Sequence, residues 1–166
     1  MFTSINQFVG VWKHEMDATS RIFDNLTDES LSKPQVQDVR SLGRVAWHIV
    51  TTLPEMGTQF GLSMPEPNQN TPVPSNAETI KSSYRQAAAA VLDQVGKWSD
   101  ADLLKEDNMY GQTWKRGASL MALMVHQVHH RGQMTVLMRL ANLPVPGVYG
   151  PAKEEWAKMG MKPPEI

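Results

Sequence analysis

Apolar residues recur at three- and four-residue steps in four long stretches of the chain, the spacing that draws one stripe along an α-helix. In the first, from about Thr3 to Leu26, the stripe is Ile5, Val9, Trp12, Met16, Thr19 and Phe23. His14 projects nearly opposite it, at ~100° per residue. In the second, from about Asp38 to Phe60, the stripe is Leu42, Val45, Ile49, Leu53, Met56 and Phe60. Asp38 or Ser41 can cap its start, and Pro54 removes a backbone donor inside it, which predicts a kink. The third starts near Ser75 or Asn76 and carries Ile80, Tyr84, Ala87, Val91, Val95 and Trp98. Its alanine run, Ala87 to Ala90, favours helix and permits close helix contact. The fourth, from about Ala118 to Asn142, aligns Leu120, Leu123, Met134, Leu137, Met138 and Ala141.

The segments between these stretches are rich in turn formers. TDESLSKPQ reads as a loop, and GLSMPEPNQNTPVPSN, with a linker over about 61–75, has too many prolines for regular structure. KEDNMYGQTWKRG allows a short hairpin turning at Tyr110-Gly111, but no strand pair in the chain is convincing. The tail, about 143–166, is rich in Pro and Gly and predicts an irregular cap, with a helical turn or two over Lys153 to Met159. No internal repeat is present. Four amphipathic helices then predict an all-α four-helix bundle, one domain over 1–166. The long linker permits a crossover, so helices two and three are expected to run parallel, in up-down-down-up order.

Composition narrows the function. The 166 residues are 41% hydrophobic and 20% charged, a globular balance. Sixteen basic and 17 acidic residues leave a net charge of −1, so there is no basic field for a nucleic-acid backbone. No apolar run approaches the roughly 18–20 residues that span a bilayer, and no secretory signal is expected at the N-terminus. The absence of cysteine excludes disulfides, thiolate ligands and a cysteine nucleophile. It fits a cytoplasmic location.

The chemistry lies with the five histidines, His14, His48, His126, His129 and His130. His126 and His130 are four apart, so they share one face of the fourth helix, in the middle of its apolar stripe. His129 is turned by about 100° to the flank. A buried ring without a partner costs on the order of 1–3 kcal/mol. One shared divalent ion satisfies two rings at once; the plainer alternative is a pair of core histidines bonded to other side chains. A third ligand must be His, Asp or Glu. His48 stands on the shoulder of the second helix's stripe, and Glu55, two turns on, is either a further ligand, a partner to one, or a solvated charge. A metallopeptidase helix would need Glu where Gln127 stands, and glutamine cannot act as a general base.

The histidine late in LGRVAWHIV, followed by HQVHHRGQMTVLMRLANLPVPGVYGP, resembles the DinB/YfiT-like superfamily over most of the chain. The HxxHHRGQ phrase is the most specific part. The resemblance implies a four-helix bundle with a three-histidine metal site, His48, His126 and His130. Arg131 and Gln133 match the phrase as packing or supporting residues, and His129 as its extra, non-ligating histidine. It implies a divalent ion, nickel or zinc first, with manganese or iron as further options. It also implies homodimers and, for some members, transfer chemistry with a low-molecular-weight thiol such as bacillithiol or mycothiol acting on a small electrophile. Three neutral imidazoles leave the ion's charge uncancelled and a coordination position open, an arrangement that lowers the pKa of a water or a thiol. The ligand set does not choose between a thiol-linked transferase and a hydrolase. A metal-stabilised bundle without turnover and an interaction protein with ordinary core histidines are the alternatives. Trp47, Trp114, Tyr110 and Tyr149 are either core or the rim of a pocket. Met121, Met124, Met134 and Met138 suggest an adaptable core. Arg116 and Arg131 either bind an acidic thiol or are solvated.

Overall fold

The structure, a computed structural model, describes residues 2–65 and 71–165. The middle of the linker expected over about 61–75 therefore lies outside the described residues, as do the two ends of the domain expected over 1–166. Four long helices are present: α1 Ile5–Asp24, α2 Leu42–Gln59, α3 Ala77–Val95 and α4 Arg116–Leu140. Each of the first three starts where a short polar side chain takes an orphan backbone donor. Ser4 accepts from the Gln7 N–H, Ser41 from Arg44 and Asn76 from Thr79. Asp38, the other candidate cap for α2, sits at φ 61 in a left-handed turn, so the helix begins four residues later than its earliest expected start. It continues through Pro54. The cap of α3 at Gly96 leaves Trp98 beyond the helix.

The segment before α4 differs from the all-helical expectation. Strands β1 Glu106–Met109 and β2 Gln112–Lys115 pair antiparallel, Glu106 opposite Lys115 and Met109 opposite Gln112. Tyr110 and Gly111 turn the chain with φ 53 and 82, the doubly left-handed geometry of a tight hairpin. Only Met109 of the two strands is buried, so no alternation marked them. Arg116 ties this hairpin to the bundle: its guanidinium grips Asp107 at 2.8 and 3.1 Å and lies 4.9 Å over the Trp98 ring. The tail carries one helical turn, α5 Lys153–Trp156, and a tighter turn over Ala157–Met159.

Contacts along the helices give their directions. The Trp12 indole donates to the Ala88 carbonyl at 3.0 Å, while Phe23, nearer the end of α1, packs on Tyr84, so α1 and α3 are antiparallel. Trp47 shares a cavity wall with Ser83 and Ala87, and Ser63 past the end of α2 bonds Gln94 near the end of α3, so α2 and α3 run parallel. Val45 faces Leu137 whereas Gly61 abuts Arg116, so α2 and α4 are antiparallel. The order is up-down-down-up, with Phe8, Trp12, Ile22, Leu42, Ile49, Leu53, Ile80, Val91, Leu120 and Leu123 fully buried between the helices. Among the described residues no helix is long and apolar enough to cross a membrane.

Candidate metal centre

The antiparallel pairing of α2 with α4 sets His48 against His126 and His130. The Nε2 atoms of His48 and His126 are 3.0 Å apart. The His130 ring stands edge-on to both, with centroids 4.5 Å away in each case. One ligating nitrogen from each ring falls within 4.8 Å of the other two. His130 is buried, and His48 and His126 are half-buried at the edge of the helix pair. Burial first, and then the neighbouring imidazoles, pushes His48 down to about 4, with Arg40 and Arg44 adding to the effect. Burial and the charges His130 and His129 would carry push His126 to about 4 as well. His130 is lowered chiefly by burial, against a hydrogen bond to Gln133 that favours its protonated form. At neutral pH all three rings are therefore uncharged, with lone pairs to offer.

These donors fit a divalent ion. Two imidazole nitrogens bound to one ion at roughly 2.0–2.1 Å stand about 2.9–3.4 Å from each other, depending on the angle between them. The 3.0 Å separation of His48 and His126 falls in that interval. No Asp or Glu joins the group among the described residues, so an ion held there would keep its positive charge.

Gln133 fixes the third ring. Its Oε1 lies 2.8 Å from His130 Nδ1, and its Nε2 lies 3.1 Å from Nε2 of the exposed His129. An amide oxygen can only accept and an amide nitrogen can only donate. His130 thus carries its proton on Nδ1 and leaves Nε2 bare, while His129 accepts. Support of this kind, in which a ligand's far nitrogen is bonded to a neighbour, fixes tautomer and orientation at metal centres.

The other sequence candidates have different employment. Glu55 accepts from the Tyr110 hydroxyl at 3.0 Å, which clasps the hairpin tip to α2, and it stands outside the histidine group. His14 is exposed, its ring centroid 6.1 Å from that of Tyr149. Arg131 is neither a solvated charge nor free for a ligand. It is 2% exposed and bonds the Glu15 carboxylate, the Thr19 hydroxyl at 3.0 Å and the Tyr149 hydroxyl. Arg116 is spent on Asp107. Trp47 does line a cavity of ≈ 320 Å³ between α2 and α3, with Pro54, Met64, Ala87 and Ala90 among its walls. The Trp114 indole bonds Gln112 in its own strand. Gln127 is fully buried and accepts from Tyr84 at 3.0 Å, while its amide nitrogen has no partner among the described residues. Sequence reasoning passed over Arg40 and Arg44, which stand beside His48 in a cavity of ≈ 170 Å³. The signal was present: Arg44 is one helical turn before His48.

Residues 1–165 match the DinB family. The chain is 44% identical over 167 residues, covering all of both proteins, to the uncharacterized protein YrdA of Bacillus subtilis (strain 168). It superposes with a TM-score of 0.85 on the crystal structure of a DinB-like protein from Bacillus cereus ATCC 10987, at 43% identity over 90% of this chain and 100% of that one. A second crystal structure, the DinB-like protein YjoA of Bacillus subtilis, matches with a TM-score of 0.69 at 18% identity, over 88% of this chain and 99% of that one, a likeness of fold alone.

Proposed function

The chain belongs to the DinB family, and on that premise we propose that it is a metal-dependent enzyme, thiol-linked and transferase-like, which holds one divalent ion through His48, His126 and His130. The observation that carries this is the convergence of three neutral imidazoles with no carboxylate among them. Nickel or zinc suits these nitrogen donors, and manganese or iron is an alternative occupant. When bound, the ion supplies Lewis acidity that makes a thiol or a water a better nucleophile near neutral pH.

The chain's own residues do the rest. His48 and His126, half-buried, present their nitrogens at the edge of the α2–α4 pair, where a small molecule can enter. Gln133 keeps the His130 proton on Nδ1, away from the centre. Tyr110 holds Glu55 outside the group, so among the described residues no carboxylate joins the histidines to compete with an incoming anion. Among the described residues no carboxylate stands in the histidine group, which suits a low-molecular-weight thiol better than water, since a thiol needs less help to lose its proton. The electrophile would be a small molecule. We further propose that the chain acts as one domain, in a homodimer, in the cytoplasm.

Cobalt(II)-loaded protein tests this reading. Titration with 2-mercaptoethanol is expected to produce a saturable thiolate-to-cobalt absorption band. A cobalt-loaded protein whose spectrum ignores thiols and azide alike would have a closed site, and would contradict the proposal.

A further inference from the structure

Two exposed guanidinium groups, those of Arg40 and Arg44, stand beside His48 with no carboxylate paired to them among the described residues. Arg44 shares a face of α2 with His48, one turn away, and Arg40 immediately precedes the Ser41 cap. With Trp47, Thr51 and His48 they line a cavity of ≈ 170 Å³. Arg40 also lines a second cavity, of ≈ 430 Å³, together with Gln133, the residue that orients His130. Among the described residues no carboxylate lies within 4.0 Å of Arg40 or Arg44, whereas Arg85, Arg116, Arg131 and Arg139 each have one. Asp38 lines the second cavity without pairing with Arg40. Both arginines bear on His48, and Arg40 on His130 as well.

A cleft lined by charges of one sign concentrates ions of the opposite sign. Two cations on the walls of one cavity give it a positive potential, and a divalent ion among the neighbouring imidazoles would add to it. The planar guanidinium fork can bond both oxygens of a carboxylate at once. The cavity is too small for a macromolecular segment and is open to a compact group.

We infer that the cavity walled by Arg40, Arg44, Trp47, Thr51 and His48 is a subsite for the carboxylate of a small molecule, whose remainder then lies against the three histidines. The substrate class of the centre is accordingly a small carboxylic acid, and with the function proposed above, a carboxylate-bearing thiol or electrophile. This last step rests on that proposal; the anion subsite itself does not.

The subsite is tested first on metal-free protein. The Trp47 indole N–H is buried and has no acceptor among the described residues, so its nuclear magnetic resonance signal, assigned with Trp47→Phe, serves as a reporter for titration with malonate. Wild type is expected to show a saturable shift. Arg40→Gln/Arg44→Gln, verified as folded by circular dichroism, is expected to bind malonate about tenfold more weakly, and added salt to weaken wild-type binding. A shift that does not saturate, or equal affinity in the variant, overturns the inference. A cobalt(II) arm separates it from the metal proposal. Saturable malonate binding in a protein that takes up no cobalt supports the subsite and contradicts the metal reading alone. In cobalt-loaded wild type, 3-mercaptopropionate is expected to bind about tenfold tighter than 3-mercaptopropan-1-ol, a preference absent from the double variant. Equal affinity for the two thiols in wild type overturns the placement of the subsite beside the histidines.

Discussion

Arg131 sits one residue past His130 and points the other way, into the core, where the buried Glu15 meets it and the exposed Tyr149 hydroxyl bonds it from the surface. A buried pair of this kind is costly to break from one side, because the surviving charge is left without a partner. Arg131→Met is expected to destabilise the protein by about 3–5 kcal/mol in urea unfolding, and adding Glu15→Gln to recover part of that loss. Recovery of nothing would show that Arg131 acts by packing alone. On the other side of the same turn, Gln133→Leu removes the acceptor for the His130 Nδ1 proton. It is expected to weaken zinc binding by about 10–100-fold while leaving the unfolding midpoint of the metal-free protein close to wild type. The sequence made the His126–His130 pair legible, since a spacing of four fixes one helix face. It did not place His48 as well, because a shoulder position on one helix says nothing of which neighbour it meets; the likeness in LGRVAWHIV supplied that. For Arg131 the resemblance gave the packing role it has, but its own surroundings in the sequence read as a solvated charge, for a physical reason. Its partner Glu15 is 116 positions away, and an arginine beside a glycine and a glutamine looks like surface.

At the level of elements, the helices were legible because 18 to 25 residues of one periodicity outweigh local noise. The hairpin was not, because its four-residue strands bury a single side chain. The Tyr110-Gly111 turn was the one readable trace of it. Two glycines make opposite predictions from their surroundings. Gly132 lies on the exposed face of α4 with open space where a Cβ would go. Gly132→Ala is expected to stabilise the protein by about 0.5–1 kcal/mol, by helix propensity and a stiffer unfolded chain. A Cβ on Gly43, at the start of α2, would meet the Leu31 carbonyl oxygen at 2.8 Å. Gly43→Ala is expected to cost about 1–3 kcal/mol, since backbone must move to admit it. Urea midpoints check both, and a Gly132→Ala variant that loses stability would mean another chain packs on that face.

At the level of the whole molecule, topology makes the centre. With α2 and α3 parallel, α2 runs antiparallel to α4, which brings residues 78 apart into contact at His48 and His126. The buried Glu15–Arg131 pair, bonded from the surface by the exposed Tyr149, then braces α4 against α1 and the tail from behind. The near-neutral composition hides the local picture, in which Arg40 and Arg44 share a cavity with His48 and have no paired acid among the described residues. On the function proposed above, the three imidazoles hold one ion. Native mass spectrometry of tag-free protein, reconstituted separately with zinc, nickel and manganese, tests it most directly, with His126→Ala/His130→Ala alongside. One ion per wild-type chain and none in the folded variant is the predicted result. A folded wild type that takes up no ion, or a variant that binds as well as wild type, would contradict the account.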